Sequence, residues 1–416
     1  MRVFAVPWSV LASFLLPLFL AFPGQLSEDA GPFLAGWRDV SFSDTNFSMG
    51  RLDGRVYYPA LAEGQNQAAD SANGPYPLVG FAHGWIEPPS DYDDLCSHLA
   101  SWGFVVVSTG EELGLFPRMQ REANALRASL WWADDSSADP AHWLGGMSDG
   151  GDWSSAGHSM GASALAYLVR DESRVQATAL LNPYQGSLLG GSTNGFNSFS
   201  SYSGSCLVVA GSEDLTNDAW SIVRPWFEQA DAAPRNFWAL INGSDHFGCT
   251  DSDIHALWGF GSLSGTTQHR LYRRLLTGFL RAEVKEEENI FLHLLGEGMS
   301  GEPVDGESSS TDPPLWVGAS SLSPGSVALG IAAEPGWRVR IGASLNLGSI
   351  STPWGTASLD SGSLHLLLDG NLPTQGWTET LVPIPPSMSG VTVHFQGVAN
   401  SGPTGSLSRV TSLVLP

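Results

Sequence analysis

A serine lies at the centre of a glycine-flanked pentapeptide, Gly157-His158-Ser159-Met160-Gly161. The short apolar run before it predicts a buried strand, and the segment after it, with Ala162 and Ala164, predicts a helix. A G-x-S-x-G sequence in this position is typical of a nucleophile elbow, a sharp turn that exposes the serine hydroxyl. Glycines are needed there because larger side chains would collide with the neighbouring strand and helix. We therefore predict that Ser159 is a catalytic nucleophile; the competing interpretation is an ordinary glycine-rich turn.

A serine hydroxyl is a poor nucleophile, so this prediction requires a base and an acid that orients the base. His246, in "INGSDHFG", follows the last strong apolar run and is the predicted base. Asp214, in "AGSEDLTND", follows the preceding run and is the predicted acid. Both fall at the carboxyl ends of predicted strands, in the chain order serine, acid, histidine that hydrolases on open α/β sheets use. Alternatives stay open for the acid (Glu213, Asp218) and for the base (His255, His269).

Two backbone N–H groups are predicted to stabilise the negative oxygen of the reaction. One donor in such sites follows the nucleophile, and the other lies in the loop after an early strand. The stretch "VGFAHGW" leaves its predicted strand at His83-Gly84. We therefore predict that the N–H groups of Trp85 and Met160 form the oxyanion hole. His83 itself is interpreted as a structural hydrogen-bonding residue.

The elements that must position these residues alternate between short apolar runs and helical stretches. This alternation predicts an α/β domain over residues 36–298, with a mostly parallel sheet covered by helices on both faces. An earlier strand is predicted at Arg55–Tyr58 and a closing helix at Gln268–Leu295. The clearest strands are predicted at Leu78–Ala82, Phe104–Thr109, Trp153–Gly157, Ala177–Asn182, Cys206–Gly211 and Phe237–Ile241.

The composition changes twice after this domain. Residues 299–314 are dominated by Gly, Ser, Glu, Asp and Pro without an apolar period, which predicts a linker. Residues 315–416 carry few charges and many turn residues between short alternating runs, which predicts a C-terminal all-β domain resembling a sandwich. Its tryptophans are interpreted as core residues rather than an exposed platform for a polymer or glycan. They are Trp316, Trp337, Trp354 and Trp377.

Composition and the N-terminus indicate where the protein works. The 416 residues have a formal net charge of −23, which excludes nucleic acid and anionic membranes as partners. Residues 1–26 read as an export signal, with Arg2 before the apolar run Trp8–Phe22. That run is broken by Pro17 and is shorter than a membrane span. We expect an exported monomer, extracellular or periplasmic, without a transmembrane anchor.

The cysteines and acidic residues predict neither a disulfide framework nor a metal site. Cys206 opens a predicted strand, whereas Cys249 lies just beyond His246 at the opposite end of the sheet. A strand of about five residues separates the two ends of the sheet by about 16 Å. This distance is beyond the reach of a disulfide. Cys96 falls on the apolar face of a predicted helix. No ligand spacing compels a metal, and the chemistry predicted for Ser159 needs no cofactor.

Taken together, the segments "PLVGFAHGW", "LASWGFVVVSTG", "GHSMG", "LLNPY", "GSEDLTN" and "INGSDHF" resemble the bacterial cutinase-like polyester hydrolases. This family belongs to the dienelactone-hydrolase branch of the α/β-hydrolases and includes enzymes acting on poly(ethylene terephthalate). The resemblance covers residues 51–251. It implies a Ser159-Asp214-His246 triad, an oxyanion hole at Trp85 and Met160, and a substrate-flanking aromatic at Trp85.

Two departures from the family pattern stand out. Tyr184, in "NPY", occupies the position of a tryptophan that stacks on the substrate, so the aromatic wall is kept with a different size and polarity. The family's disulfide would need a cysteine near Gly211, so that disulfide is predicted to be absent.

The predicted function is that of a secreted serine carboxylic-ester hydrolase acting on an ester substrate, in particular an insoluble polyester. One alternative is a lipase or acetylhydrolase that acts on lipid esters. A surface-binding protein with a secondary hydrolase domain is a further alternative, which the complete Ser, Asp and His set disfavours.

Overall fold

A computed structural model describes residues 26–148, 150–185 and 192–416, and its largest element is a mixed sheet of ten strands. These are β1 (Leu34–Asp44), β2 (Gly50–Ala60), β3 (Gly64–Gln65), β4 (Leu78–Ala82), β5 (Val105–Thr109), β6 (Trp153–His158), β7 (Val175–Leu181), β8 (Ser205–Gly211), β9 (Arg235–Ile241) and β10 (Val304–Ser310). Their order across the sheet is β10-β9-β8-β7-β6-β4-β5-β2-β1-β3.

The centre of this sheet is parallel and its margins are antiparallel. Strands β5, β4, β6, β7, β8 and β9 pair in parallel, while β2 and β10 add antiparallel at either side. Strands β4, β5, β8 and β9 are buried along their whole length. Burial on both faces explains their continuous apolar character. All six clearest predicted strands are present, with ends shifted by at most two residues.

Helices cover both faces of the sheet, as predicted. They are α1 (Asp93–Ser101), α2 (Met119–Ala138), α3 (Ser159–Asp171), α4 (Ser192–Phe199), α5 (Arg224–Gln229), α6 (Ser252–Trp258) and α7 (Gly265–Val284). The apolar faces of α2 and α3 pack in one core cluster and those of α1 and α7 in a second. The six central strands therefore place their carboxyl ends at one edge of a sheet that is covered on both faces.

The predicted closing helix Gln268–Leu295 is wrong in its second half. Helix α7 ends at Val284, Glu286 takes a positive φ of 58°, and a 3₁₀ helix follows over Glu288–His293. The break lets the Glu288 carboxylate accept a 2.7 Å hydrogen bond from the buried Arg235 guanidinium. Pairing the buried charge of Arg235 stabilises the fold more than continuing α7 through a run of acidic residues would.

The C-terminal region is β-rich. Its strands are β11 (Leu315–Ala319), β12 (Ser326–Ala332), β13 (Arg338–Ser344), β14 (Leu347–Thr352), β15 (Gly355–Leu359), β16 (His365–Asn371), β17 (Trp377–Pro383), β18 (Thr392–Ser401), β19 (Thr404–Leu407) and β20 (Thr411–Val414). They form antiparallel sheets of three and five strands and a separate hairpin. The two larger sheets contribute to one apolar cluster that includes Leu329, Ile341 and Phe395.

The predicted linker over residues 299–314 is wrong for its central part. Residues 304–310 form β10, which pairs with all seven residues of β9 and completes the edge of the main sheet. Its sequence is polar because one edge of the strand has no partner in the sheet and much of the strand is only half-buried. The backbone hydrogen bonds, rather than apolar side chains, therefore hold this segment in place.

The C-terminal region packs against the α/β core. Trp316 is completely buried in the cluster that also holds Phe291, with ring centroids 6.2 Å apart. Its indole N–H donates a 2.7 Å hydrogen bond to Glu379, which also accepts from the Glu297 backbone N–H at 2.9 Å. The other three tryptophans considered above are half-buried. Trp316 thus joins the two regions.

Three predictions concern the rest of the chain. The export signal predicted over residues 1–26 lies outside the described residues, apart from Leu26. Among the residues that are described, no helix is long and apolar enough to cross a membrane. Cys96, Cys206 and Cys249 are buried free thiols.

Candidate active site

Ser159 sits on a sharp turn between β6 and α3. Its φ of 52° lies in the left-handed region, which a side-chain-bearing residue adopts only when its surroundings impose it. A Cβ on Gly157 would lie 2.9 Å from the Ala162 nitrogen, and one on Gly161 only 2.3 Å from the His83 carbonyl oxygen. Both flanking positions therefore require glycine. The turn leaves the serine side chain at the carboxyl edge of the sheet, as the elbow motif predicts.

The structure brings the three predicted triad residues into one chain of hydrogen bonds. His246 Nε2 lies 2.9 Å from Ser159 Oγ, and His246 Nδ1 lies 2.7 Å from Asp214 Oδ2. The other carboxylate oxygen of Asp214 accepts from the backbone N–H groups of Thr216 and Asn217, at 2.8 and 2.7 Å. A carboxylate at Nδ1 favours the tautomer that leaves Nε2 free to accept the serine proton.

The alternative acids do not face the imidazole. Glu213 accepts hydrogen bonds from the backbone N–H and hydroxyl of Ser262, both at 2.7 Å. Asp218 accepts from the Ser221 N–H at 2.8 Å and thereby caps the helical turn that follows. Asp214 is the only one of the three carboxylates within hydrogen-bond distance of His246 in the described residues.

The alternative bases also have other partners. His255 Nε2 lies 3.1 Å from Asp245, and His269 Nε2 lies 2.9 Å from Asp94. Both histidines belong to α6 or α7, which follow the loop of His246. The imidazole of His255 thus holds α6 to the loop of His246, and that of His269 holds α7 to the start of α1.

The loop that carries Trp85 lies against the start of α3. Gly84 donates its N–H to the Tyr92 hydroxyl at 3.0 Å, and the ring of His83 contacts the Gly84 carbonyl at 2.7 Å. The same ring lies 2.7 Å from the carbonyl oxygen of Glu111, so His83 connects two loops, as its structural interpretation requires. Met160 is the second residue of α3, where a helix N–H has no intrahelical acceptor. The close approach of the His83 carbonyl to Gly161 brings the segment before Trp85 to the start of α3, which carries Met160.

The two predicted substrate-contacting aromatics also lie at this edge. Trp85 is exposed, whereas Tyr184 is half-buried against the core. The Tyr184 N–H donates to the carbonyl of Ser159 at 3.2 Å, and its carbonyl accepts from the Ser163 hydroxyl. The main chain of Tyr184 is therefore attached directly to the nucleophile elbow.

A buried carboxyl group, which the sequence reasoning missed, lies beneath the loop of His83. Glu122 on α2 is completely buried, and one of its carboxylate oxygens lies 3.8 Å from His83 Nε2. Burial raises the pKa of Glu122 to about 7, and the neighbouring His83 partly opposes this shift. The burial of Glu122 was not predicted because a single acidic residue in a helix normally indicates a solvated face.

A second group that the sequence reasoning missed consists of Glu87, Tyr92 and His158. All three are buried and linked by hydrogen bonds. The available signal was the histidine at the second position of the G-x-S-x-G sequence, which places an imidazole beside the nucleophile. Its partners come from 66 and 71 residues earlier in the chain, so spacing alone gives no indication of them.

Among the described residues no group of three or more His, Cys, Asp or Glu side chains is arranged to hold a metal ion.

A search of curated proteins gave no match. A family model described as PET hydrolase-like matches residues 24–260, more than half of the chain and the part that contains Ser159, Asp214 and His246. The chain therefore belongs to the PET hydrolase-like family, and membership of this family implies an ester hydrolase.

Proposed function

We propose that the protein is a secreted serine hydrolase that cleaves carboxylic esters, with an extended, water-insoluble polyester as the substrate class. The observation that carries the proposal is the unbroken series of hydrogen bonds from Ser159 through His246 to Asp214. Such a series activates a hydroxyl for acyl transfer.

In the proposed mechanism His246 Nε2 takes the proton from Ser159 Oγ as this oxygen attacks the ester carbonyl carbon. Asp214 holds the imidazole in place and stabilises its protonated form. The N–H groups of Trp85 and Met160 donate to the oxyanion of the tetrahedral intermediate. When the intermediate collapses, His246 returns the proton to the departing alcohol. Water then attacks the acyl-enzyme with the same histidine as base, which releases the acid and restores Ser159.

The surface around this site supports a large apolar substrate. Large apolar side chains are exposed on the loops that follow β4, β5 and β8, and on α6 and the adjoining loop after β9, with exposed fractions from 37% for Leu113 to 90% for Phe116. We call this set the apolar rim; it comprises Trp85, Ile86, Leu113, Leu115, Phe116, Leu215, Leu257, Trp258 and Phe260. An exposed cluster of this kind marks a binding surface in a soluble protein.

The apolar rim has two halves, one on each side of Ser159. Strand β5 lies on one side of β6 in the sheet, and β8 and β9 lie on the other. The first half is held to the oxyanion loop by the contact of His83 with the Glu111 carbonyl. The second half is held beside Asp214 by the hydrogen bonds from Ser262 to Glu213. A flat substrate that spans both halves would present its ester groups to the nucleophile. Because such a substrate cannot enter a cell, the proposal includes secretion.

Chain-length preference tests this proposal against the lipase alternative. On p-nitrophenyl esters from acetate to palmitate, we expect the highest turnover on short chains, together with soluble products from a polyester film. Peak turnover on palmitate would instead favour a lipase. Failure to hydrolyse any of these esters would overturn the proposed function and leave the binding-protein alternative.

Polar substitutions in the apolar rim should separate adsorption from chemistry. We expect the double variant Leu115→Ser/Phe116→Ser to bind a polyester film at least about tenfold more weakly, because burial of even one large apolar side chain is worth about 1.5–3 kcal/mol. Turnover of soluble p-nitrophenyl butyrate should stay within about twofold of the wild type, because the hydrogen bonds that join Ser159, His246 and Asp214 involve neither residue. Adsorption is measured by depletion of protein from solution over the film.

A matched control is the double variant Leu345→Ser/Leu347→Ser. These leucines are also exposed but belong to the C-terminal region. We expect wild-type adsorption from this control. An equal loss of adsorption in both double variants would show that the apolar rim is not the contact surface.

A further inference from the structure

His158, which immediately precedes the nucleophile, is completely buried and lies behind the imidazole of His246. The two ring centroids are 4.7 Å apart. His158 Nε2 lies 2.9 Å from the backbone carbonyl oxygen of His246, which also accepts from Asn182 Nδ2 at 3.1 Å. The side chains of His158 and Asn182 therefore both hold the backbone carbonyl group of the predicted base in place.

The other ring nitrogen of His158 faces an acidic group. Its Nδ1 lies 3.1 Å from Glu87 Oε2 and 2.7 Å from the Tyr92 hydroxyl. The Tyr92 hydroxyl is itself 2.5 Å from the same Glu87 oxygen and accepts the N–H of Gly84 at 3.0 Å. A Cβ on Gly84 would lie 1.8 Å from Glu87 Oε2, so only glycine allows this close approach.

These contacts connect the backbone segments on which the proposed chemistry depends. Gly84 immediately precedes Trp85, the predicted oxyanion donor, and His158 immediately precedes Ser159. The carbonyl at the end of the network belongs to His246. A single buried cluster of three side chains therefore touches the oxyanion loop, the nucleophile elbow and the loop of the base.

The positions of the protons follow from the partners. A carbonyl oxygen can only accept, so His158 Nε2 must carry a proton to bond with His246. If Glu87 is ionised, the Tyr92 hydroxyl donates to it and the Tyr92 oxygen accepts from His158 Nδ1. Both ring nitrogens then donate and the ring is cationic. A neutral arrangement would need protonated Glu87 and a bare Nδ1, with the same distances.

We propose that Glu87 and His158 form a buried carboxylate–imidazolium pair, bridged by Tyr92, which positions the His246 main chain and the oxyanion loop around Ser159. The assignment as positioning residues rests on the proposed function, whereas the existence of the ion pair does not. An ionised pair is the stronger choice in this place because charge-assisted hydrogen bonds are about twice as strong as neutral ones. It also leaves neither charge uncompensated in a site closed to water.

The surrounding groups favour the ionised form. Burial alone raises the pKa of Glu87, but the charge and hydrogen bond of His158 outweigh it and leave this pKa below its ordinary value. Burial alone lowers the pKa of His158, but interactions with Cys249 and Glu87 raise it well above the ordinary value. Burial raises the pKa of the Cys249 thiol, so near pH 7 this thiol is neutral and acts on His158 only as a hydrogen-bond partner, while Glu87 supplies the negative charge. The groups facing His158 are Glu87, Tyr92, His246 and Cys249.

Nitrogen-15 NMR of the histidine-labelled full-length protein tests the pair directly. At pH 8 we expect His158 to carry protons on both ring nitrogens, and in the Glu87→Gln variant to carry only one. A single protonated nitrogen in the wild-type protein would overturn the ion pair. This readout does not depend on ester hydrolysis, so it separates failure of the pair from failure of the proposed function.

Kinetics test the positioning role. We expect Glu87→Gln to lower kcat on p-nitrophenyl butyrate about 10- to 100-fold with KM within about twofold, since small displacements of reacting groups cost this much. The low-field proton signal of His246 Nδ1–H, which bonds to Asp214, should shift in the same variant. If the wild-type protein hydrolyses no ester, this signal still reports whether the histidine moves. Wild-type kcat with an unshifted signal would overturn the positioning role.

Two further variants keep the test decisive. Glu172 is also a buried glutamate, paired with Arg127 at 3.0 Å at the far end of α3, and Glu172→Gln should leave kcat and the His246 signal unchanged. If Glu87→Gln does not fold, Tyr92→Phe removes only the bridging hydroxyl, and we expect about tenfold lower kcat at unchanged KM. Wild-type kcat and KM in Tyr92→Phe would then count against the positioning role.

Discussion

Replacing Ser159 by alanine should lower kcat on p-nitrophenyl butyrate by about 10⁶-fold, the loss typical of removing the nucleophile of a serine hydrolase. Among the described residues, no other serine hydroxyl lies within hydrogen-bond distance of His246 Nε2. The residual rate would come from the oxyanion donors and from substrate binding alone. A fluorophosphonate probe should label the wild-type protein on the peptide that contains Ser159 and leave the variant unlabelled.

The matched control for this substitution is Ser129→Ala. Ser129 is also buried, but its hydroxyl donates to the Ala125 carbonyl within α2, away from the sheet edge that carries the site. We expect its kcat within about twofold of the wild type. Equal activities in Ser129→Ala and Ser159→Ala would exclude Ser159 as the nucleophile and place the chemistry elsewhere.

The second large effect is expected from shortening the chain. A protein ending at Gly301 lacks β10, so β9 loses all seven paired residues and becomes an exposed edge. It also lacks Asp312, which accepts a 3.0 Å hydrogen bond from the buried Arg235, and Trp316, which packs on Phe291. We expect this protein to be insoluble, because the exposed edge of β9 promotes aggregation.

A chain ending at Pro313 gives the informative comparison. It keeps β10 and Asp312 but lacks Trp316, and loss of a buried tryptophan side chain costs about 3–5 kcal/mol. We expect a soluble protein whose Tm is lower by roughly 10 °C, measured by circular dichroism, with the hydrolysis of soluble esters retained at low temperature. A soluble and fully active protein ending at Gly301 would contradict the structural role of β10.

Much of the catalytic half could be predicted from the sequence because its signals are local. The strands around β6 are buried on both faces, so each appears as an apolar run bounded by turn residues. The elbow depends on glycines adjacent in sequence, which identified Ser159. Asp214 and His246 follow closely after their strands, so chain order and strand ends favoured them, while Glu213, Asp218, His255 and His269 stayed open as alternatives.

The features that escaped prediction depend on distant partners. Strand β10 has a polar sequence without an apolar pattern, and backbone pairing with the distant β9 keeps it in the sheet. Helix α7 ends before Glu288 because this residue pairs with the buried guanidinium of Arg235, 53 residues away in the chain. Glu87 and His158 are likewise joined across 71 residues. Neither periodicity nor spacing reports such long-range electrostatic pairing.

Strand β10 also has a consequence for biosynthesis. A ribosome makes the chain from the N-terminus, so every residue of the proposed triad emerges well before residues 304–310. Until those residues emerge, β9 has one unpaired edge, which is the kind of surface that chaperones shield in nascent proteins. The nascent catalytic half therefore cannot complete its sheet by itself. Completion of the sheet therefore depends on the polar segment that precedes the C-terminal region.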